Sequence, residues 1–164
     1  MHTPFFMKTY FLTVISAVLI FTSCGGEEPG TSIPDDNHFS KTALVTGELF
    51  EPIDMTILPN LDILIAQRRG GILKYDSERS ELSLAGSLDV YHETGLENVN
   101  AEEGVVGIVK DPAFEENRFV YIYYSPADTS VNRLSRFRFG EDELDMESET
   151  IILELYSRRQ ICCH

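Results

Sequence analysis

The chain has no tryptophan, three cysteines and few basic residues. Lys and Arg number 13 against 27 Asp and Glu, a formal net charge of −14. Such a surface repels phosphate backbones and offers no basic patch to anionic lipid, which argues against nucleic-acid binding and against electrostatic docking on a membrane. The four histidines, His2, His38, His92 and His164, show no i, i+4 or Cys-His spacing, so no metal site is read from them. No D-x-D-x-D-G calcium loop is present; Asp142 to Glu149 reads as an acidic turn lacking the required glycine. A glycine-rich phosphate loop and a G-x-S-x-G elbow are also missing. Without tryptophan, a core must lean on the 10 Phe and 7 Tyr, and a hydrophobic content of 43% is enough for a globular one.

The most distinctive local composition lies at the N-terminus. Lys8 precedes an apolar run from Tyr10 to Phe21, interrupted only by Thr13 and Ser16. The run is too short to span a bilayer and has the length of a signal-peptide core. It ends Phe21-Thr22-Ser23-Cys24-Gly25. That order resembles a bacterial lipobox, with small residues before a lipid-modified cysteine. It implies a leader over 1–23, acylation of Cys24 and a bacterial cell-envelope location, at the outer membrane or cell surface, through a lipid anchor. The alternative is ordinary secretion with Cys24 as a spare thiol. Residues 24–40 are rich in Gly, Pro, Ser and Asp and have almost nothing to bury, so they read as a flexible tether. The domain proper spans 41–164.

From Leu49 onward helical periodicity is nearly absent and strands follow one another. Ile53, Met55 and Ile57 alternate with Asp54 and Thr56. Ile63 to Ala66 is continuously apolar, between Pro59-Asn60 and Arg69-Gly70-Gly71. Ile72 to Tyr75 follows, then a polar turn at Ser77 to Glu81, then Leu82, Leu84, Gly86 and Leu88 on one face opposite Ser83, Ala85 and Ser87. A second set begins roughly fifty residues later, the spacing of propeller blades. Its strands are Val105 to Val109, Phe119 to Tyr124, Leu134 to Phe139 and Ile151 to Leu155. The runs Ile63 to Ala66 and Phe119 to Tyr124 are apolar on both faces, as inner blade strands are when neighbouring blades sandwich them. The expected fold class is all-β, a partial β-propeller of two four-stranded antiparallel blades; a two-sheet sandwich is the alternative. Two blades cannot close a ring, so the chain reads as a fragment lacking C-terminal blades.

The segment Glu102-Glu103-Gly104-Val105-Val106-Gly107-Ile108-Val109-Lys110-Asp111-Pro112-Ala113-Phe114 resembles the first conserved block of the glucose/sorbosone dehydrogenase family, E-x-G-(L/V)-(L/V)-G-(I/L)-x-x-(D/H)-P-x-F. Gln67-Arg68-Arg69-Gly70-Gly71-Ile72-Leu73 resembles that family's hairpin, and Asn132-Arg133-Leu134-Ser135-Arg136-Phe137 its recurring strand. The family consists of six-bladed β-propeller quinoproteins. The resemblance implies pyrroloquinoline quinone and calcium as cofactors, with most of their ligands outside this chain, and a sugar or polyol as substrate.

The resemblance also implies site residues. The Glu102 position lies at the mouth of the family's central tunnel, beside the quinone; read alone, Glu102 and Glu103 are a solvated loop pair. His164 matches the histidine that opens the family's H-x-G-G block, implying a general base that takes the sugar hydroxyl proton while hydride passes to the quinone. Cys162 and Cys163 are neighbours whose Cα atoms lie roughly 3.8 Å apart, below the usual disulfide range, so a bridge between them would be strained and easily reduced. Another class of quinoproteins stacks such a pair on its cofactor, which suggests a cofactor contact; two buried thiols at a blade junction is the other reading. The implied function is a quinone-dependent sugar or polyol oxidoreductase, the fragment itself inactive. The competing function is a non-enzymatic propeller that binds glycan or protein.

Overall fold

The computed structural model describes residues 40–47, 49–95 and 101–159. Every described strand belongs to the unit that begins at Thr42. The described strands form two antiparallel four-stranded sheets, each in simple sequence order. The first holds β1 (Pro52–Ile57), β2 (Ile63–Gln67), β3 (Gly71–Asp76) and β4 (Glu81–Ser87). The second holds β5 (Val105–Lys110), β6 (Phe119–Tyr124), β7 (Val131–Phe139) and β8 (Leu144–Tyr156). One short helix, α1 (Phe114–Asn117), occupies the Asp-Pro-x-Phe exit from β5.

The core lies between the sheets. Leu64, Ala66 and Ile72 of the first sheet join Val120, Ile122, Phe137 and Phe139 of the second in one buried cluster. Phe114 from α1 completes it, packed against Phe139 at 6.3 Å between ring centroids and capped by the Arg118 guanidinium at 4.6 Å. The three phenylalanines are the largest fully buried side chains, the role expected of them in a core without tryptophan. In β7, Ser135, Phe137 and Phe139 point inward and Arg138 outward, as the alternation there requires.

The far faces of the two sheets also carry apolar side chains. The first exposes Met55, Ile57 and Leu84, and the second Val109 and Leu153. A closed sandwich presents polar residues on its outer faces. Apolar side chains on both faces of both sheets are the pattern of blades stacked about an axis, so the fold is a partial β-propeller. The apolar runs Ile63 to Ala66 and Phe119 to Tyr124 lie in β2 and β6, the second strand of each sheet, paired on both edges. Across the sheets, β1 and β2 meet β5, and β4 meets β8.

Three local features depart from simple alternation. In β1 the polar side faces the neighbouring sheet: Asp54 Oδ2 accepts from the Ile108 amide at 3.0 Å and Thr56 Oγ1 from the Lys110 amide at 3.2 Å. The β3–β4 pairing shifts register between Ile72 and Leu73, so Ala85 is buried while Leu84 is 61% exposed. The leucine face expected along that strand is broken by this bulge. Finally, β8 starts at Leu144, inside the stretch read as an acidic turn. Leu144 is buried, its Cβ sitting 3.1 Å from where a side chain at Gly86 would begin.

An ionic contact also crosses the sheets. Lys74 on β3 is buried, with Nζ 3.1 Å from Asp62 and 2.5 Å from Asp142 in the β7–β8 turn. Burial pushes the Asp62 carboxyl up, but the Ser77 amide, Asn60 and Lys74 together hold it below its usual value. Burial likewise pushes Lys74 down, and Asp142 and Asp62 outweigh it, leaving the ammonium raised. A depressed carboxylate contributes stability above its unfolded pKa, about 4, and loses that contribution as pH falls through its folded value. A raised ammonium contributes below about pH 10 and loses it as pH rises further. Urea denaturation should therefore show an acid limb below about pH 4 that flattens in Asp62→Asn. Lys74→Ala should cost about 3 kcal/mol near neutrality, because it strands a buried carboxylate. An acid limb unchanged in Asp62→Asn would show that this carboxylate plays no part in it.

Candidate functional site

The β2–β3 hairpin and the turn into β5 meet at one end of the sheets, and Arg68 joins them. Its Nε and Nη2 lie 3.1 and 2.9 Å from Glu51 Oε2. Its Nη1 donates to three backbone carbonyls: Ala101 at 2.8 Å, Glu103 at 3.2 Å and His92 at 3.2 Å. The main chain of Arg68 is held as well. Its amide donates to the Glu51 carbonyl at 3.0 Å, and its carbonyl accepts the Val105 amide at 2.8 Å. Gly104 makes this approach possible: at φ +123°, an added Cβ would sit 2.1 Å from the Arg68 oxygen.

Glu102 sits in the middle of this turn with its side chain exposed, while Ala101, Gly104 and Val105 around it are buried. The turn is thus a fixed backbone presenting a carboxylate outward. Around it, Arg69 pairs with Glu51 at 3.0 Å and with Glu93 at 3.4 Å, its guanidinium 4.9 Å over the Phe50 ring. Hydrogen bonding from Arg69 is the chief reason the Glu51 carboxyl lies below its usual range. His92 donates from Nδ1 to the Val90 carbonyl at 2.9 Å, which leaves Nε2 toward Glu93 at 3.6 Å. Arg159 lies 4.5 Å over the Tyr91 ring and donates to the Val131 carbonyl at 3.1 Å. Burial pushes its guanidinium down, with Glu103 opposing the shift. Its buried Nε has no acceptor among the described residues.

Of the residues singled out from sequence, Glu102 is placed on this rim. Cys24, Cys162, Cys163 and His164 lie outside the described residues. Arg68 and Glu51 are the organising residues that sequence reading missed. Arg68 stood in a recognised hairpin segment, but nothing in its spacing shows that it reaches a turn 33 to 35 residues later. Among the described residues no group of three or more His, Cys, Asp or Glu is arranged to hold a metal ion. A cleft of about 440 Å³ at Lys74, Arg79 and Asp142 does not include Glu102 in its lining.

A family profile described as Glucose / Sorbosone dehydrogenase matches residues 49–163. An uncharacterized protein of Synechocystis sp., slr1608, is 34% identical over 117 residues, covering 70% of this chain and 28% of its own length. Among solved structures, a Thermus thermophilus protein described as a glucose dehydrogenase is 28% identical. It has a TM-score of 0.57, with 67% of this chain and 30% of that chain covered. The PQQ-bound aldose sugar dehydrogenase of Streptomyces coelicolor superposes with a TM-score of 0.59 at 22% identity, over 71% of this chain and 34% of its own, a likeness of fold. The chain spans about a third or less of the length of these relatives.

The described rim does not by itself fit a quinone bearing carboxylates. Such a group needs cations to face it, and Arg68 and Arg69 are already committed to Glu51, Glu93 and backbone carbonyls. What the rim supplies is a rigid, acidic lip.

The Arg68–Gly104 contact gives a direct test of that rigidity. Gly104→Ala should destabilise the chain by about 2 kcal/mol or more, since both the backbone conformation and the carbonyl contact forbid a side chain. Gly95→Ala, with no atom of the described residues within 4 Å of the added Cβ, should lose less. Equal losses in thermal melting would show that Gly104 carries no close contact in solution.

Proposed function

We propose, because the chain belongs to the glucose/sorbosone dehydrogenase family, that it is the N-terminal part of a quinone-dependent oxidoreductase acting on sugars or other polyols. The observation that carries this reading is the Glu102 turn. The family's most specific block is present, and its carboxylate stands outward on a backbone fixed from both sides. In support, a protein of the same fold is a PQQ-bound sugar dehydrogenase.

In this reading His164 is the base that takes the proton of the sugar hydroxyl, and Cys162 and Cys163 border the same site. Pyrroloquinoline quinone, when bound, supplies the two-electron acceptor. Its cationic clamp and the calcium ligands belong to the remaining blades of the whole protein. The same reading puts the protein in a bacterial cell envelope, with 1–23 removed, Cys24 acylated and 24–40 acting as tether.

Two experiments test these statements. The 164-residue chain should neither bind quinone tightly nor oxidise sugars when quinone and calcium are supplied. The whole protein should do both by absorbance titration and dye-linked turnover. In that protein His164→Gln should leave quinone binding nearly intact and lower turnover about a hundredfold or more, the scale of losing a general base. Full turnover removes His164 from the mechanism, and failure of the whole protein to bind quinone favours a propeller that binds glycan or protein without chemistry. For the anchor, Cys24→Ala should move the protein out of the detergent phase or block its processing; unchanged partitioning would refute acylation at Cys24.

A further inference from the structure

We propose that Arg68 is a positioning residue whose guanidinium sets the backbone of the Glu102 turn, and with it the place from which the carboxylate is presented; this rests on the reading of that turn as the acidic lip that faces the sugar or polyol of the proposed function. The geometry is specific to a guanidinium. One edge, Nε and Nη2, faces the Glu51 carboxylate at 3.1 and 2.9 Å. The other nitrogen, Nη1, faces the carbonyls on either side of Glu102, at 2.8 Å to Ala101 and 3.2 Å to Glu103. A planar fork of five N–H donors meets both demands at once, whereas a lysine ammonium on its flexible stem is a point charge that meets one.

The position of Arg68 is itself over-determined. Its side chain is 12% exposed, and its backbone bonds the Glu51 carbonyl on one side and the Val105 amide on the other. The turn is therefore tied to the first sheet at Ala101, Glu103 and Val105, three main-chain points that bracket Glu102. Bonds from a charged donor are stronger than neutral ones, and here they connect two sheets that share no strand. Glu51 enters as the group that orients the fork. It also binds Arg69 at 3.0 Å, so its loss would loosen both arginines at the rim.

The test uses the 164-residue chain for geometry and the whole protein for consequence. In Arg68→Lys, amide hydrogen exchange at Val105 should quicken by about tenfold or more, while amides in the β6–β7 pairing keep wild-type rates at matched stability. In the whole protein, the same variant should raise the KM for the sugar by about tenfold and leave quinone affinity at the wild-type value. Phe137→Leu, adjusted by temperature to the same fraction folded, should leave that KM unchanged. Slow exchange at Val105 retained in Arg68→Lys overturns the positioning role, as does an equal rise in KM in the Phe137 control. If wild-type protein binds no quinone, the functional reading fails, and the exchange measurement still decides the role of Arg68.

Discussion

A sheet that ends must dispose of its edge amides, and the junction of these two sheets is organised by that requirement. The outward N–H groups of Ile108 and Lys110 on β5 find no strand partner, and β1 supplies side-chain acceptors instead, Asp54 and Thr56. A strand normally turns its apolar side to the interior. Here an aspartate and a threonine face the neighbouring sheet, and Ile53, Met55 and Ile57 are turned to the far side. An unsatisfied buried amide costs more than an exposed methyl group loses, so the polar face prevails. The apolar face displaced outward then becomes a surface suited to another layer, which is how one edge constraint propagates into a stacked architecture.

The same junction governs the candidate site. The turn before β5 cannot relax independently, because Gly104 lies against the Arg68 carbonyl and Val105 bonds it. Binding residues commonly sit on loops held by a rigid scaffold. In this chain the scaffold reaches into the loop through main-chain bonds, which a change of side chain at position 102 leaves in place. Changes at Arg68, Gly104 or Glu51 alter the turn itself.

Much of the fold was legible because strand patterning is local. The clean alternation of Ser135, Phe137 and Phe139 reports its own buried face, and the doubly apolar Phe119 to Tyr124 reports a strand paired on both edges. What was illegible depends on partners far away in sequence. The alternation in β1 is equally clean, yet which side turns inward depends on amides 54 residues later. A one-residue shift between Ile72 and Leu73 reverses which of Leu84 and Ala85 is buried, and no composition signal marks it. The acidic stretch before Ile151 hides a strand because Leu144 is buried by contact with Gly86, a residue of the other sheet. At the site, a family block drew attention to Glu102, whose role stays a proposal, whereas Arg68 became visible only through its distances.

The scarcity of cations gives their placement meaning. Arg68, Arg69, Lys74, Arg79 and Arg133 are all in ion pairs within the chain. Arg118 lies over Phe114, Arg136 over Phe119 and Arg159 over Tyr91. Much of the positive charge is thus paired or stacked within the chain, and the acidic excess of the residue count, a net charge of −14, is what remains. A rim of this kind repels anionic metabolites and leaves neutral, hydroxyl-rich molecules free to approach, through hydrogen bonds rather than charge. That preference agrees with a sugar or polyol as substrate. It also separates two tasks within the proposed enzyme. On that proposal the acidic lip of the described blades is the side that faces a neutral substrate, and an anionic cofactor is held by cations other than the arginines of this rim.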